Sequence, residues 1–250
     1  GGAKIVAMLL SHGHDDHIAA LPYILPDLPK FPIYASALTA GFTHDRLVDK
    51  SLDWEITVVP DKQEIQLSQH FSFELINITH SVPDTKHILL STPLGKIYYG
   101  SDFKLDENPI DGQKSDMLRI EQAGKDGVLL ALLDCLRVER LERTPSESTV
   151  APAILEAMQN VQGKVLVTLM SSHIHRIQEV INACEQLGRK IAFVGRSVEQ
   201  NVAVSTLLKK LHIPQGLQLD KREINKIPDR QLCVIIAGSQ GQEGSSLVRA

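Results

Sequence analysis

The chain has 250 residues, of which 43% are hydrophobic and 22% are charged, a composition typical of a globular protein with one large domain or two ordinary ones. Its formal charge of −4 argues against a histone-like or arm-like nucleic-acid binder, although a local basic groove is compatible with that total. Its 3 cysteines are widely spaced and no apolar run approaches ~20 residues. This pattern excludes a disulfide scaffold, a thiolate zinc site and a membrane-spanning segment, and it favours a cytoplasmic protein.

The first part of the chain, up to about residue 110, predicts short strands with two helical segments between them. The predicted strands are KIVAMLLS, FPIYAS, WEITVVP, EIQLS, FSFELINITH, HILLSTP and KIYYGSDF. The helical segments are IAALPYILPDLP and ALTAGFTHDRLVDK. Pro93, Leu94 and Gly95 predict a hairpin turn between the last two strands. This succession favours a β-rich sheet or sandwich over a Rossmann sheet.

The second part of the chain alternates strands and helices. The predicted strands are DGVLLALLD, KVLVTLMS, KIAFVG and QLCVIIAG, and the predicted helices are SESTVAPAILEAMQNV, HIHRIQEVINACEQLG and SVEQNVAVSTLLKKL. The alternation indicates a parallel sheet covered by helices on both faces. Ser146 is the predicted N-cap of the first of these helices. We therefore predict one domain over residues 1–143 and a second over residues 144–250.

A cluster of titratable side chains follows the first predicted strand, in the run HGHDDH. His12 and His14 can point the same way from an extended turn, and Asp16 and His17 follow as a helix begins. Imidazole and carboxylate groups are ligands for zinc and manganese, so we interpret the run as part of a metal site. The alternative is a polar helix cap formed by Asp15 or Asp16, with solvated histidines. Three histidines and two aspartates within six positions favour the metal site.

Two further ligand candidates, His80 and Asp102, each follow a predicted strand. Either residue alone would be interpreted as an ordinary strand-end or turn residue. Together they supply a fifth and a sixth ligand, and Asp102 could bridge one metal bound by His12 and His14 and another bound by Asp16 and His17. Two ions ~3.5–4 Å apart that share a carboxylate suit hydrolysis of a phosphodiester.

These residues resemble the H-x-H-x-D-H motif and the later ligands of the metallo-β-lactamase superfamily. The segments HSVPD, GSDFKLD, TPSE, HIHRIQ, GRS and GSQG, in this order, are similar to those of the ribonuclease J family of β-CASP nucleases. The resemblance implies an α/β fold, in which a partial metallo-β-lactamase αββα sandwich carries an inserted βαβ-type β-CASP domain. It also implies two Zn²⁺ ions, with Mn²⁺ or Mg²⁺ as alternatives. The implied activity is endonucleolytic and 5′-to-3′ exonucleolytic cleavage of single-stranded RNA in RNA processing and decay, with homo-oligomers allowed in the full-length protein.

The same resemblance implies roles for individual residues. One metal is held by His12, His14, His80 and Asp102, and the other by Asp16, His17, Asp102 and a later histidine. Asp134 matches the acidic residue that opens the β-CASP region and joins Asp16 and Asp102 as the expected catalytic residues. Ser172 and His173 match a position that contacts a substrate phosphate, where the family more often has Asn in place of the histidine. From their own placement at the starts of predicted helices, His175, Arg176 and Arg196 either support a phosphate site or belong to ordinary helix ends.

The sequence also departs from this family. Almost nothing precedes HGHDDH and the chain stops soon after GSQG, which predicts an internal piece of a longer protein with an unpaired sheet edge. Cys135, Leu136 and Arg137 replace the polar run that usually follows the acidic residue. Two rival functions stay open, a small-molecule ester or thioester hydrolase and an inactive RNA-binding subunit. The histidines without patterned neighbours are predicted to be surface or loop residues: His44, His70, His87 and His212.

Overall fold

The computed structural model describes residues 4–238, 241 and 243–249. It divides the chain into two compact units, residues 1–145 and 146–250, which are described separately below. Both units combine helices with sheets, which confirms the predicted α/β class. No helix within the described residues is both long and apolar enough to cross a membrane.

The first unit contains two sheets. A parallel sheet has the order β1-β2-β3, and a mixed sheet has the order β4-β5-β6-β7-β8, in which β8 runs parallel to β7 and the other neighbours are antiparallel. The strands are β1 Met8–Leu9, β2 Ile33–Ala35, β3 Ile56–Val58, β4 Glu64–Gln66, β5 Ser72–Asn77, β6 Lys86–Thr92, β7 Gly95–Gly100 and β8 Leu130–Leu133. The helices are α1 Asp15–Ile18, α2 Leu21–Ile24, a 3-10 turn Leu25–Asp27, α3 Ala37–Val48 and α4 Met117–Asp126.

The predicted elements of this unit are present with different lengths. The first strand is only Met8–Leu9, because it pairs with the short β2 and the preceding Ile5 and Val6 are exposed. The hairpin between β6 and β7 is confirmed, but Thr92 pairs with Gly95, so its turn is the two residues Pro93 and Leu94.

Helix α4 was not predicted. Two residues in the sequence indicate this helix, Asp116 at its start and Gly127 directly after its last turn. In the structure the Asp116 side chain accepts a hydrogen bond from the Arg119 backbone N–H at 3.1 Å.

One edge of the mixed sheet is apolar and exposed. Among the described strands, β8 pairs with β7 alone, and all four of its residues are exposed. Leu130 and Leu132 retain 46% and 47% of their accessible surface, respectively. An edge strand of this composition is a site for pairing with another chain or for aggregation.

The second unit has a parallel sheet of order β10-β11-β9, as the alternating pattern predicts for KVLVTLMS, KIAFVG and QLCVIIAG. The prediction that DGVLLALLD belongs with these strands is wrong, because it forms β8 and pairs with β7 in the first unit. Its elements are a 3-10 turn Glu147–Thr149, α5 Val150–Gln159, β9 Val165–Thr168, α6 Ile174–Gln186, β10 Lys190–Val194, α7 Arg196–Leu207, 3-10 turns Lys221–Lys226 and Asp229–Gln231, β11 Leu232–Ile236 and α8 Ser246–Arg249. Ser146 does not cap α5 directly. Its hydroxyl accepts from the Ser148 N–H at 3.3 Å and caps the 3-10 turn that leads into that helix.

Candidate metal centre

The run HGHDDH forms the turn between β1 and α1. The ladder of the parallel sheet continues to Leu10, whose N–H donates to the Tyr34 carbonyl at 2.9 Å. His14 is extended, with φ −73° and ψ 150°, and α1 begins at the next residue. Position 13 requires glycine, because the Cβ of any other residue would lie 2.6 Å from Cδ2 of Phe42 on α3. The tight packing of glycine against α3 therefore holds the two flanking histidines in place.

The first group of candidate ligands consists of His12, His14, His80 and Asp102, whose ligand atoms all lie within 4.8 Å of one another. Nδ1 of His14 is 3.2 Å from Nε2 of His12 and 3.1 Å from Nε2 of His80. Three ring nitrogens that face a common point are arranged like the imidazole ligands of one metal ion. Two nitrogens bound to one zinc ion in tetrahedral geometry are about 3.3–3.4 Å apart, only slightly farther than the nitrogens here, so this spacing is close to that of a zinc site.

The outward nitrogens of two of these rings have hydrogen-bond partners. Nε2 of His14 lies 3.0 Å from the Ser81 hydroxyl, and Nδ1 of His12 lies 3.1 Å from the Ser11 hydroxyl. Such partners fix the orientation of a metal-binding imidazole and leave the other nitrogen free for the ion. Both rings are therefore prepared to present Nδ1 of His14 and Nε2 of His12 to the shared point.

The second group consists of Asp16, His17 and Asp102. Nε2 of His17 is 3.6 Å from Oδ2 of Asp16 and 3.5 Å from Oδ1 of Asp102. The other oxygen of Asp102, Oδ2, lies 3.9 Å from Nε2 of His80 in the first group. One carboxylate thus faces both groups. The Asp16 side chain is 73% exposed, whereas His12 and His14 are buried, so the second group is the more open one.

The buried histidines of the first group have low pKa values. The pKa of His12 is lowered to about 2 and that of His14 to about 4, mainly because burial disfavours the charged ring, with neighbouring histidines as a further cause. Both rings are therefore neutral at physiological pH, which is the form that binds a metal ion.

His87 was predicted to be a surface or loop residue, and this prediction is wrong. The residue is only 3% exposed, in β6, and its Nδ1 lies 2.7 Å from the Tyr98 hydroxyl of β7. Burial lowers the pKa of His87 to about 4. Its place within the apolar strand HILLSTP was the available evidence for burial. His44, His70 and His212 are exposed, as predicted.

These pKa shifts predict that the metal-free protein is destabilised by mild acid. His12, His14 and His87 have folded pKa values below the unfolded value of 6.5, so only the unfolded state takes up these protons as the pH falls below 6.5. Each group then lowers the free energy of unfolding by up to about 1.4 kcal/mol per pH unit. The three groups together lower it by about 2–4 kcal/mol between pH 7 and pH 5.5.

Urea unfolding in the presence of EDTA at the two pH values measures this loss. In a matched variant, His87→Asn, one of the three titrating groups is absent, so about two thirds of the loss should remain. Equal free energies of unfolding at pH 7 and pH 5.5 would contradict the prediction.

Asp134, the third expected catalytic residue, lies at the end of β8 and belongs to neither ligand group among the described residues. Its N–H donates to the Gly100 carbonyl at 3.1 Å, two residues before Asp102. Its Oδ1 accepts from the Leu136 N–H at 2.8 Å, which closes a local turn. The structure therefore places Asp134 beside the strand end that leads to Asp102.

The predicted phosphate-contacting residues lie in the second unit. Ser172 and His175 are buried, His173 precedes α6, and Arg196 is exposed at the start of α7. Nδ1 of His173 accepts from the Arg176 N–H at 3.2 Å, so this histidine caps α6 as the Asn more common in the family would.

An acidic residue, Glu147, engages the basic side chains at this helix start. The Arg176 guanidinium donates to Glu147, whose Oε1 also lies 3.8 Å from Nε2 of His173. A phosphate at this helix start would therefore compete with Glu147 for Arg176. In the GSQG motif, Ser239 and Gln240 lie outside the described residues.

Comparison with known proteins identifies two matching family models. A metallo-beta-lactamase superfamily model matches residues 1–140, and a model of the ribonuclease J beta-CASP domain matches residues 162–250. Ribonuclease J of Thermus thermophilus is 38% identical over 98% of this chain and 44% of its own length. Ribonuclease J of Helicobacter pylori strain 26695 is 34% identical over 98% of this chain and 36% of its own length, and ribonuclease J2 of Bacillus subtilis is 33% identical over 98% and 44%, respectively.

This chain thus spans less than half of the length of these curated relatives. A crystal structure from Enterococcus faecalis V583, described as a protein of unknown function, aligns with a TM-score of 0.67 at 17% identity, over 98% of this chain and 63% of that one. This last similarity concerns the fold alone.

Proposed function

Since the chain belongs to the metallo-β-lactamase superfamily and contains a region that matches the β-CASP domain of ribonuclease J, we propose that it is a metal-dependent ribonuclease of the ribonuclease J type. Family membership and the α/β fold were both expected from the sequence and are confirmed. We assign residues 1–143 to the metallo-β-lactamase domain and residues 144–250 to the β-CASP domain. The observation that carries the proposal is the pair of His/Asp groups that share Asp102.

We propose that the two groups hold divalent ions. His12, His14 and His80 with Asp102 offer three nitrogens and one oxygen, a donor set that suits Zn²⁺ better than Mg²⁺. Asp16 and His17 with the shared Asp102 offer a more oxygen-rich set, for which Mn²⁺ or Mg²⁺ are alternatives to zinc. Ions bound here would supply Lewis acidity toward a phosphodiester and make a nearby water more acidic.

In such a reaction the protein's own side chains would hold the ions in position and balance part of their positive charge. The neutral rings of His12 and His14 present nitrogens at fixed positions, and Asp102 keeps the two groups adjacent. We propose Asp16, Asp102 and Asp134 as the acidic residues of the active site. Ser172, His173, His175 and Arg196 are proposed to contact the RNA.

The substrate that we propose is single-stranded RNA, cleaved both internally and from the 5′ end, because the similar proteins named above are called ribonuclease J. Three free cysteines favour a reducing, cytoplasmic location for this enzyme. The full-length protein is proposed to form homo-oligomers.

A labelled single-stranded RNA and a thioester, each offered to the full-length gene product with and without EDTA, test the proposal. EDTA-sensitive cleavage of the RNA alone is the expected result. Cleavage of the thioester alone would favour a small-molecule hydrolase. Retention of the RNA without cleavage of either compound would favour an inactive RNA-binding subunit.

The proposed RNA contact at the start of α6 predicts a defect in binding without loss of metal. Replacing Ser172 and His173 together by alanine should weaken binding of single-stranded RNA roughly 10-fold, which corresponds to the loss of about one hydrogen bond to a phosphate. Zinc content should stay unchanged, because neither residue belongs to the ligand groups. Filter binding and elemental analysis measure the two quantities.

This double variant needs a control for stability, since His173 caps α6 and its loss is expected to destabilise the protein by about 1 kcal/mol. His173→Asn keeps a capping oxygen and should retain both stability and RNA binding. Zinc lost together with RNA affinity in the double variant would indicate general misfolding in place of a lost phosphate contact.

A further inference from the structure

The first residues of β6 connect the two chain segments that carry the candidate metal ligands. The Lys86 N–H donates to the Ser11 carbonyl at 2.9 Å, directly before His12. The Ser101 hydroxyl donates to the Lys86 carbonyl at 3.1 Å, directly before Asp102. Both peptide groups of one residue thus set the separation between the segments. Any side chain that stabilises this part of β6 against β7 also affects the position of Asp102.

The side chain that follows this connection is His87, which packs beneath the end of β7 and the turn after it. Its ring makes edge contacts with Tyr98, at a centroid distance of 5.4 Å, and with Phe103, at 5.5 Å. Gly100 lies so close that a Cβ there would be 3.5 Å from Cε1 of His87 and 2.6 Å from Cδ2 of Leu133. The His87 ring therefore packs against Phe103 after Asp102 and lies close to the Gly100 backbone before it.

We propose that His87 is a positioning residue that holds the segment Gly100–Phe103, and with it the carboxylate of Asp102, between the two metal groups. The proposal rests on the proposed function, because Asp102 matters in this way only if the groups bind ions. It assigns a role to a buried histidine that the ligand groups do not include.

A histidine at this position offers a hydrogen-bond partner that an apolar residue of the same size lacks. Its Nδ1 is a hydrogen-bond partner for the Tyr98 hydroxyl, which is itself in a buried residue. Loss of that partner would leave a polar atom unsatisfied in the core, and the strands β6 and β7 would adjust to relieve it. Burial also lowers the pKa of His87, so the ring is neutral at physiological pH and its Nδ1 can pair with the uncharged hydroxyl.

The test compares zinc affinities of the full 250-residue chain and its variants by competition with a chromophoric chelator. His87→Leu should weaken the second zinc equivalent about 10-fold, the range for residues that orient metal ligands. The first equivalent should change less, because three histidines other than His87 hold that ion. His87→Asn places an amide where Nδ1 was and should restore the second affinity to within about 3-fold of the unaltered chain.

Tyr98→Phe removes only the hydroxyl and should weaken the second zinc equivalent in the same direction, which decides the question if His87→Leu does not fold. His70→Leu, a change of the same type at an exposed histidine, should leave both affinities unchanged. Unchanged second-zinc affinity in Tyr98→Phe, or in a folded His87→Leu variant, would overturn the inference alone. Absence of zinc binding by the unaltered chain would overturn the proposed function as well.

Discussion

Replacing Asp102 by alanine is expected to abolish binding of a second divalent ion and to weaken binding of the first roughly 100-fold or more. Among the described residues, Asp102 is the side chain that the two ligand groups share, with Oδ2 toward His80 and Oδ1 toward His17. A structural zinc site contributes about 10–16 kcal/mol from four ligands, so one ligand is worth about 3 kcal/mol. The variant leaves three histidines in the first group and only Asp16 and His17 in the second. Chelator competition measures both affinities.

Two controls separate loss of a ligand from loss of structure. Asp53→Ala removes an exposed carboxylate outside the ligand groups and should bind both ions normally. Asp102→Asn keeps the shape of the side chain but not its charge, so it should retain the first ion better than alanine does and still lose the second. A folded Asp102→Ala variant that binds both ions with the affinities of the unaltered chain would show that Asp102 is not shared between metals.

The local part of this site could be predicted because its geometry is set by neighbours in sequence. His12 and His14 are separated by one residue in an extended turn, and Asp16 and His17 lie on the first turn of α1. A strand followed directly by a helix allows few arrangements of these side chains. Ligand chemistry at such a turn indicated a metal site, and the structure brings these side chains together as candidate ligands. Their role in binding an ion stays a prediction.

The ligand candidates that are distant in sequence could be predicted only from their position just after a predicted strand. His80 and Asp102 each follow a strand of the mixed sheet, and their convergence on His14 and His17 depends on how that sheet faces the turn after β1. No local pattern contains this information. Their position after predicted strands made them candidates and suggested that Asp102 could bridge two metals, and the resemblance to a family with the same order of ligands supported their grouping.

The buried positions beneath the site were not predictable in this way. His87 is a polar residue whose burial depends on Tyr98 across the sheet and on Phe103 beyond the end of β7. Helix α4 was overlooked because its residues are polar on average and, among them, only Ala123 is buried. Local signals existed in both cases, the apolar strand around His87 and the capping residues of α4, but only the tertiary contacts decide between burial and exposure.

The unaltered chain is expected to bind one divalent ion tightly and a second at least ~100-fold more weakly, since one protein ligand is worth about 3 kcal/mol. Within the part of the chain that the structure describes, the first group offers four ligands and the second offers three, of which Asp102 is shared with the first. The second group is also more exposed, so its ligands lose more conformational freedom when they bind. Elemental analysis after gel filtration should therefore find about one equivalent of zinc, and a second only at high free zinc.

Cleavage of RNA is expected to be slow or undetectable for the same reason, because phosphodiester hydrolysis of this type uses one ion for the attacking oxygen and another for the leaving oxygen. The curated relatives are more than twice as long as the matched region, and the family resemblance implies a later histidine as the further ligand. Adding the segments that these relatives have beyond the matched region should raise both the second zinc affinity and the rate of cleavage. Strong EDTA-sensitive cleavage by the 250-residue chain alone, lost in Asp102→Ala, would show instead that Asp16, His17 and Asp102 suffice to hold the second ion.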